Sequence, residues 1–134
     1  MSAGEIRVAI NSDQDIVSAR QKGRAMATEL GFSSGDATLI ATAISELARN
    51  IVSYAGKGQI TLKMVNGLNR RGIAVIADDN GPGIPDIRQA LRDGYSTSGS
   101  LGLGLPGVRR LMDEFAITSQ PGRGTIVTVK KWRQ

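Results

Sequence analysis

The run Gly72-Ile73-Ala74-Val75-Ile76-Ala77 constrains this chain most. Every position is apolar, so as a strand it would bury both faces and lie centrally in a sheet. It ends in two acids, Asp78 and Asp79, and passes into Asn80-Gly81-Pro82-Gly83-Ile84. Gly81 and Gly83 admit positive φ and let another group approach the backbone closely. Pro82 fixes its own φ and stiffens the turn between them. A buried strand that delivers a carboxylate to the lip of a glycine cradle suits a purine, whose exocyclic amine would donate to it. Asn-Gly and Pro-Gly are also ordinary turn dipeptides, so this stretch alone leaves both readings open.

The chain has 134 residues, enough for one domain over 1–134 with its own core. Aromatics make up only 4%, so that core must be aliphatic. With no cysteine and no histidine, disulfides, thiolate or imidazole metal sites and a phosphohistidine carried on this chain are excluded. Acid–base chemistry falls to Asp, Glu, Lys, Arg or Tyr. The net charge of +5 is concentrated at Lys130-Lys131-Trp132-Arg133. No basic run with interleaved aromatics points to nucleic acid. No apolar run reaches the ~20 residues of a membrane span, and the start lacks a signal pattern. The expected location is cytoplasmic.

Glu5 to Asn11 alternates as a strand. Ser12 with Asp15 forms a capping box for a helix whose core stripe is Ile16, Ala19, Gly23, Met26 and Leu30, with Gly31 as C-cap. Ser33 with Asp36 starts a second helix that runs to about Tyr54, its stripe being Ile40, Ile44, Leu47, Ile51 and Tyr54. Gln59 to Val65 reads as a strand, Asn66 to Arg71 as a hairpin loop and Gly72 to Ala77 as the central strand. Pro85 to Arg92 suits a short helix. Gly94 to Gly104 is an aperiodic Gly/Ser/Thr loop. Leu105 to Phe115 suits a helix, with Phe115 to Ser119 and Thr125 to Trp132 as strands around a Gln120–Gly124 turn. This order predicts an α+β two-layer sandwich, a mixed and mostly antiparallel sheet covered on one face by helices.

Three further patterns carry candidate chemistry. Glu46 and Asn50 stand one turn apart on the second helix, beside its apolar stripe. They are either a solvated flank or a Mg²⁺ ligand with a base next to it, since Mg²⁺ needs few protein oxygens when substrate phosphates supply the rest. Gly102 and Gly104 precede a helix start, where outward amides and the dipole favour an anion; the alternative is a plain loop. The loop lacks the Lys of a Walker-type phosphate loop. Gly122-Arg123-Gly124-Thr125 is a hairpin turn; read for function, Thr125 would bond a carboxylate or water near a bound base.

Glu46-x-x-x-Asn50, Asp79-x-Gly81-x-Gly83, Gly102-x-Gly104-Leu105 and Gly122-x-Gly124-Thr125 occur in the order that resembles the GHKL ATPase superfamily of gyrases, heat-shock chaperones, MutL and histidine kinases. The resemblance covers about Ile6 to Trp132 and implies the Bergerat fold, with ATP held under a lid at Ile87 to Leu101. It implies Glu46 as catalytic base and Asn50 as the Mg²⁺ ligand. Asp79 would read the adenine amine, with Gly81, Gly83 and Ile84 behind the base. Gly102, Leu103, Gly104 and Leu105 would meet the phosphates, and Thr125 would join the adenine–water network. Ser45-Glu46, Asp78 to Ile84, Ser100 to Phe115 and Val129 to Trp132 are similar to the RsbT-type switch serine/threonine kinases. That likeness implies phosphorylation of STAS-domain stressosome proteins (RsbS/RsbR-like) and, on release, activation of a PP2C-type phosphatase or another output enzyme. The related anti-sigma factor serine kinases are the alternative; they usually carry Asn-Ala where Asn50-Ile51 stands here.

Overall fold

A computed structural model describes residues 4–83 and 104–133. In chain order the elements are β1 (Glu5–Ile10), α1 (Asp13–Glu29), α2 (Ser34–Asn50), a π-helical turn (Ile51–Ala55), β2 (Gly58–Gly67), β3 (Arg70–Asp79), α3 (Gly104–Leu111), β4 (Glu114–Gln120) and β5 (Gly124–Trp132). The strands form one sheet in the order β1-β2-β3-β5-β4, and every described pairing is antiparallel. The expected α+β sandwich with a mostly antiparallel sheet is thus found. The short helix expected at Pro85 to Arg92, the Gly/Ser/Thr loop before Gly104 and the lid at Ile87 to Leu101 lie outside the described residues.

β3 is central, as its two-sided apolarity requires. Ile73, Val75 and Ala77 point into the helix-covered face and join the core, with Ile60 and Leu62 of β2 and Val127 and Val129 of β5. On the other face Ala74 is also buried, flanked in register by Lys63 and Lys130.

The helix boundaries follow local chemistry. The Asp15 carboxylate accepts the Asn11 and Ser12 amides at 2.8 and 3.2 Å and secures the start of α1. Gly31, at φ +91°, ends α1; its amide donates to the Thr28 carbonyl and that of Phe32 to Ala27. The Ser33 hydroxyl accepts the Asp36 amide at 3.1 Å at the start of α2. The α1 stripe is buried throughout. Gly23 brings α1 close to α2, since a Cβ there would stand 2.1 Å from Ile44 Cδ1.

Three expectations are corrected. The second helix does not continue regularly to Tyr54: the π turn inserts extra residue length and rotates Tyr54 outward, leaving it 47% exposed. The helix expected over Leu105 to Phe115 stops at Leu111, because the Asp113 amide already donates to the Lys130 carbonyl and the chain joins the sheet. Phe115 faces the core from β4, opposite Val129. The loop expected over Asn66 to Arg71 is a tight turn at Leu68 and Asn69, with Gly67 opposite Arg70 and Asn69 at φ +62°. Among the described residues no helix is long and apolar enough to cross a membrane.

Candidate functional site

The period-two alternation of β3 decides which of its terminal acids faces the helices. Asp79 shares the face of Ile73, Val75 and Ala77, whereas Asp78 points to the opposite, exposed face. Register then sets Asp79 opposite Thr125 of β5, and Thr125 opposite Ser119 of β4. One row on the helix-facing side therefore carries a carboxylate and two hydroxyls. The Ser119 and Thr125 hydroxyls are hydrogen-bonded at 2.8 Å, and Thr125 is buried. Asp79 Oδ1 accepts the Gly81 amide at 2.9 Å. Its Oδ2 accepts no hydrogen bond among the described residues.

The glycines of this end serve the protein's own packing. A Cβ on Gly81 would stand 2.6 Å from Ala55 Cβ in the π turn. Gly83, at φ +82°, lies against the Gln120 carbonyl, and the Gly122 amide donates to the Pro82 carbonyl at 2.8 Å. The expectation of positive φ at both motif glycines holds for Gly83 and not for Gly81, whose need for glycine is the approach of Ala55. The turn after Asp79 is thereby clamped between the end of α2 and the β4–β5 hairpin.

The second cluster lies on α2. Glu46 is only 7% exposed. Its Oε1 accepts from Arg49 Nη1 at 3.0 Å, and its Oε2 accepts from the Gly104 amide, the first residue of α3, at 3.3 Å. A buried carboxylate thus joins the last part of α2 to the start of α3, and the partly exposed Arg49 partners its charge. Asn50 lies on the next turn, partly exposed, and its side-chain carboxamide makes no hydrogen bond among the described residues. Gly104, at φ +64°, turns the chain into α3, and Pro106 sits in the first turn.

The structure thus groups Asp79, Gly81, Gly83 and Thr125 at one end of β3 and β5, and Glu46 with Gly104 at the α2–α3 junction, one turn from Asn50. The side chain of Leu105, expected at the phosphates, is buried in the core. Ile84, Gly102 and Leu103 lie outside the described residues. Ser119 and Arg49 were missed by sequence reasoning. Arg49 carried a signal, three residues beyond Glu46 on a helix. Ser119 could have been found by folding the hairpin about Gln120 to Gly124.

The chain belongs to the family of histidine kinase-, DNA gyrase B-, and HSP90-like ATPases, whose match spans residues 35–134. Within that family it is 58% identical over 125 residues to the serine/threonine-protein kinase RsbT of Bacillus subtilis (strain 168), covering 93% of this chain and 94% of the relative. It is 33% identical over 129 residues to an anti-sigma F factor of Thermoanaerobacter sp. (strain X514), covering 92% of this chain and 89% of that one. Among solved structures, the mycobacterial sensor histidine kinase MprB aligns with a TM-score of 0.56 at 17% identity, over 96% of this chain and 98% of that one. The catalytic domain of the histidine kinase ThkA aligns with a TM-score of 0.54 at 16% identity, over 94% and 95%. At those identities the structural likeness establishes the fold.

Proposed function

We propose that this chain is a cytoplasmic serine/threonine protein kinase that transfers a phosphoryl group from ATP to a hydroxyl of a STAS-domain scaffold protein. On release it binds and activates an output enzyme such as a PP2C-type phosphatase. The observation that carries this reading is the 58% identity to a serine/threonine-protein kinase across 93% of the chain. The geometry is consistent with it at both ends of a nucleotide.

Asp79 Oδ2, which accepts no hydrogen bond among the described residues, would accept from an adenine amine, while Gly81 holds Oδ1 and so fixes the carboxylate plane. Thr125, tied to Ser119, offers a hydroxyl beside it. Among the described residues the Asn50 side-chain oxygen makes no hydrogen bond and suits Mg²⁺, and no group of three carboxylate, His or Cys side chains there could hold a metal without further ligands. When bound, ATP supplies the phosphoryl group and Mg²⁺ neutralises charge between its phosphates. Glu46 would orient the acceptor hydroxyl and receive its proton. Because Glu46 Oε2 holds the Gly104 amide, the group that takes a proton and a backbone donor suited to anionic charge are one hydrogen bond apart. Arg49 keeps the carboxylate oriented from the other side.

The 33% identity to an anti-sigma F factor favours a second reading, a kinase that sequesters a sigma factor. Incubating the protein with labelled ATP and purified STAS-domain proteins, then mapping any phosphosite, tests the first. Label on a serine or threonine of a STAS protein supports it. Capture of a sigma factor with no labelled STAS protein would replace it with the second.

A further inference from the structure

We propose that the β2–β3 hairpin end of the sheet is a docking site for an acidic segment of a partner protein that carries an apolar side chain. A cleft of about 370 Å³ opens there, lined by Asn66, Gly67, Asn69, Arg70, Arg71 and Arg133. Two of its three guanidinium groups are held in place by neutral groups. Arg70 lies over the Trp132 ring, 4.3 Å from the centroid. That ring is itself fixed: its indole N–H donates to Glu114 Oε2 at 2.6 Å, and a Cβ on Gly72 would come within 2.7 Å of it. The Arg133 amide donates to the Arg71 carbonyl, and its Nη1 donates to the Leu30 carbonyl at 3.2 Å. Among the described residues none of the three arginines forms an ion pair. Three positive charges are therefore gathered with no ion-pair partner among the described residues, and two of them have less side-chain freedom to lose on binding than solvated arginines have.

Leu68 decides the kind of ligand. It occupies the hairpin turn beside the cleft and is 90% exposed, the most exposed of the large hydrophobic residues described. A simple anion would use the arginines and leave Leu68 in water. An acidic peptide with one apolar residue would use both, and the exposed Asn66 and Asn69 amides can bond its backbone. β3 spans Arg70 to Asp79, so the cleft lies about 30 Å along the strand from the candidate adenine end. The site is independent of the kinase reading, and a bound nucleotide leaves it accessible.

The test uses the full chain and three probes: a synthetic glutamate-rich peptide with a single leucine, the same peptide with that leucine replaced by serine, and a single-stranded DNA oligonucleotide. Binding is followed by two-dimensional NMR, including arginine side-chain signals. The leucine peptide should bind saturably and more tightly than its serine form, shift Leu68, Asn69 and Arg71, and be unaffected by ATP. R71E should weaken it by roughly tenfold or more, since like-charge juxtaposition is costly, and L68S should abolish the preference for leucine. Both positions are exposed, and the spectrum itself reports that the variants fold. Unchanged binding to R71E, shifts mapping elsewhere, or tighter binding of the oligonucleotide to the same arginines would overturn the proposal.

Discussion

Replacing Asp79 with Asn separates nucleotide recognition from stability. In the protein Oδ1 accepts the Gly81 amide at 2.9 Å, while Oδ2 accepts no hydrogen bond among the described residues. An Asn oxygen can keep the Gly81 contact, and the amide nitrogen, which cannot accept, must then take the place of Oδ2. The fold should lose less than about 1 kcal/mol, since the retained hydrogen bond is of ordinary strength. Adenine recognition should lose more, because two donors now face each other where a donor met a carboxylate. An unmade hydrogen bond in such a site costs roughly 1–3 kcal/mol, equivalent to about a 5–150-fold weaker Kd. Isothermal titration calorimetry with ATP measures this directly. Asp78→Asn is the matched control, because Asp78 is exposed on the other face of the sheet, and its ATP affinity should not change. GTP binding to Asp79→Asn should not fall, since the new amide can donate to the guanine oxygen. Unaltered ATP affinity in Asp79→Asn, or equal losses in both variants, would refute the placement of adenine at this carboxylate.

Two further outcomes follow from the same end of the sheet. Gly124→Ala should destabilise the fold by roughly 3 kcal/mol or more, because Gly124 has φ +112° and its Cβ would stand 2.0 Å from the Asp79 carbonyl oxygen; a urea midpoint equal to that of the wild type would count against this packing. Thr125→Val removes the 2.8 Å hydroxyl pair with Ser119. It should cost about 0.5–1.5 kcal/mol of stability by denaturation and weaken ATP binding in calorimetry, while a variant as stable and as tightly binding as the wild type would show that the hydroxyl row is idle.

What could be read from the sequence was what is encoded by short-range geometry. The caps at Ser33 and Gly31 lie where local hydrogen bonding requires them. Register between distant strands was not legible. No local pattern says that Asp79, Thr125 and Ser119 form one row, because the pairing is set by how β5 packs between β3 and β4. Tyr54 was misplaced because the apolar spacing from Ile51 stays helical while the backbone widens by a π turn. Phe115 was given both to the end of a helix and to the strand Phe115 to Ser119, and only the strand holds; an inward residue just after a helix satisfies the helical period and the strand period alike. Gly81 was read as space for a ligand, whereas Ala55 fills that space, a contact between parts of the chain that only the fold brings together. The link between Glu46 and Gly104 is long-range in the same sense and had no sequence signal.

The central claim is that this site moves a phosphoryl group to a protein hydroxyl with Glu46 receiving the proton. Glu46→Gln tests it most directly when single-turnover transfer from labelled ATP to a STAS-domain acceptor and calorimetric ATP binding are measured on the same sample. A glutamine can still accept the Gly104 amide and carries no base, so ATP affinity should stay largely intact while transfer falls by about 10²–10⁴-fold. Transfer at the wild-type rate in Glu46→Gln would contradict the account.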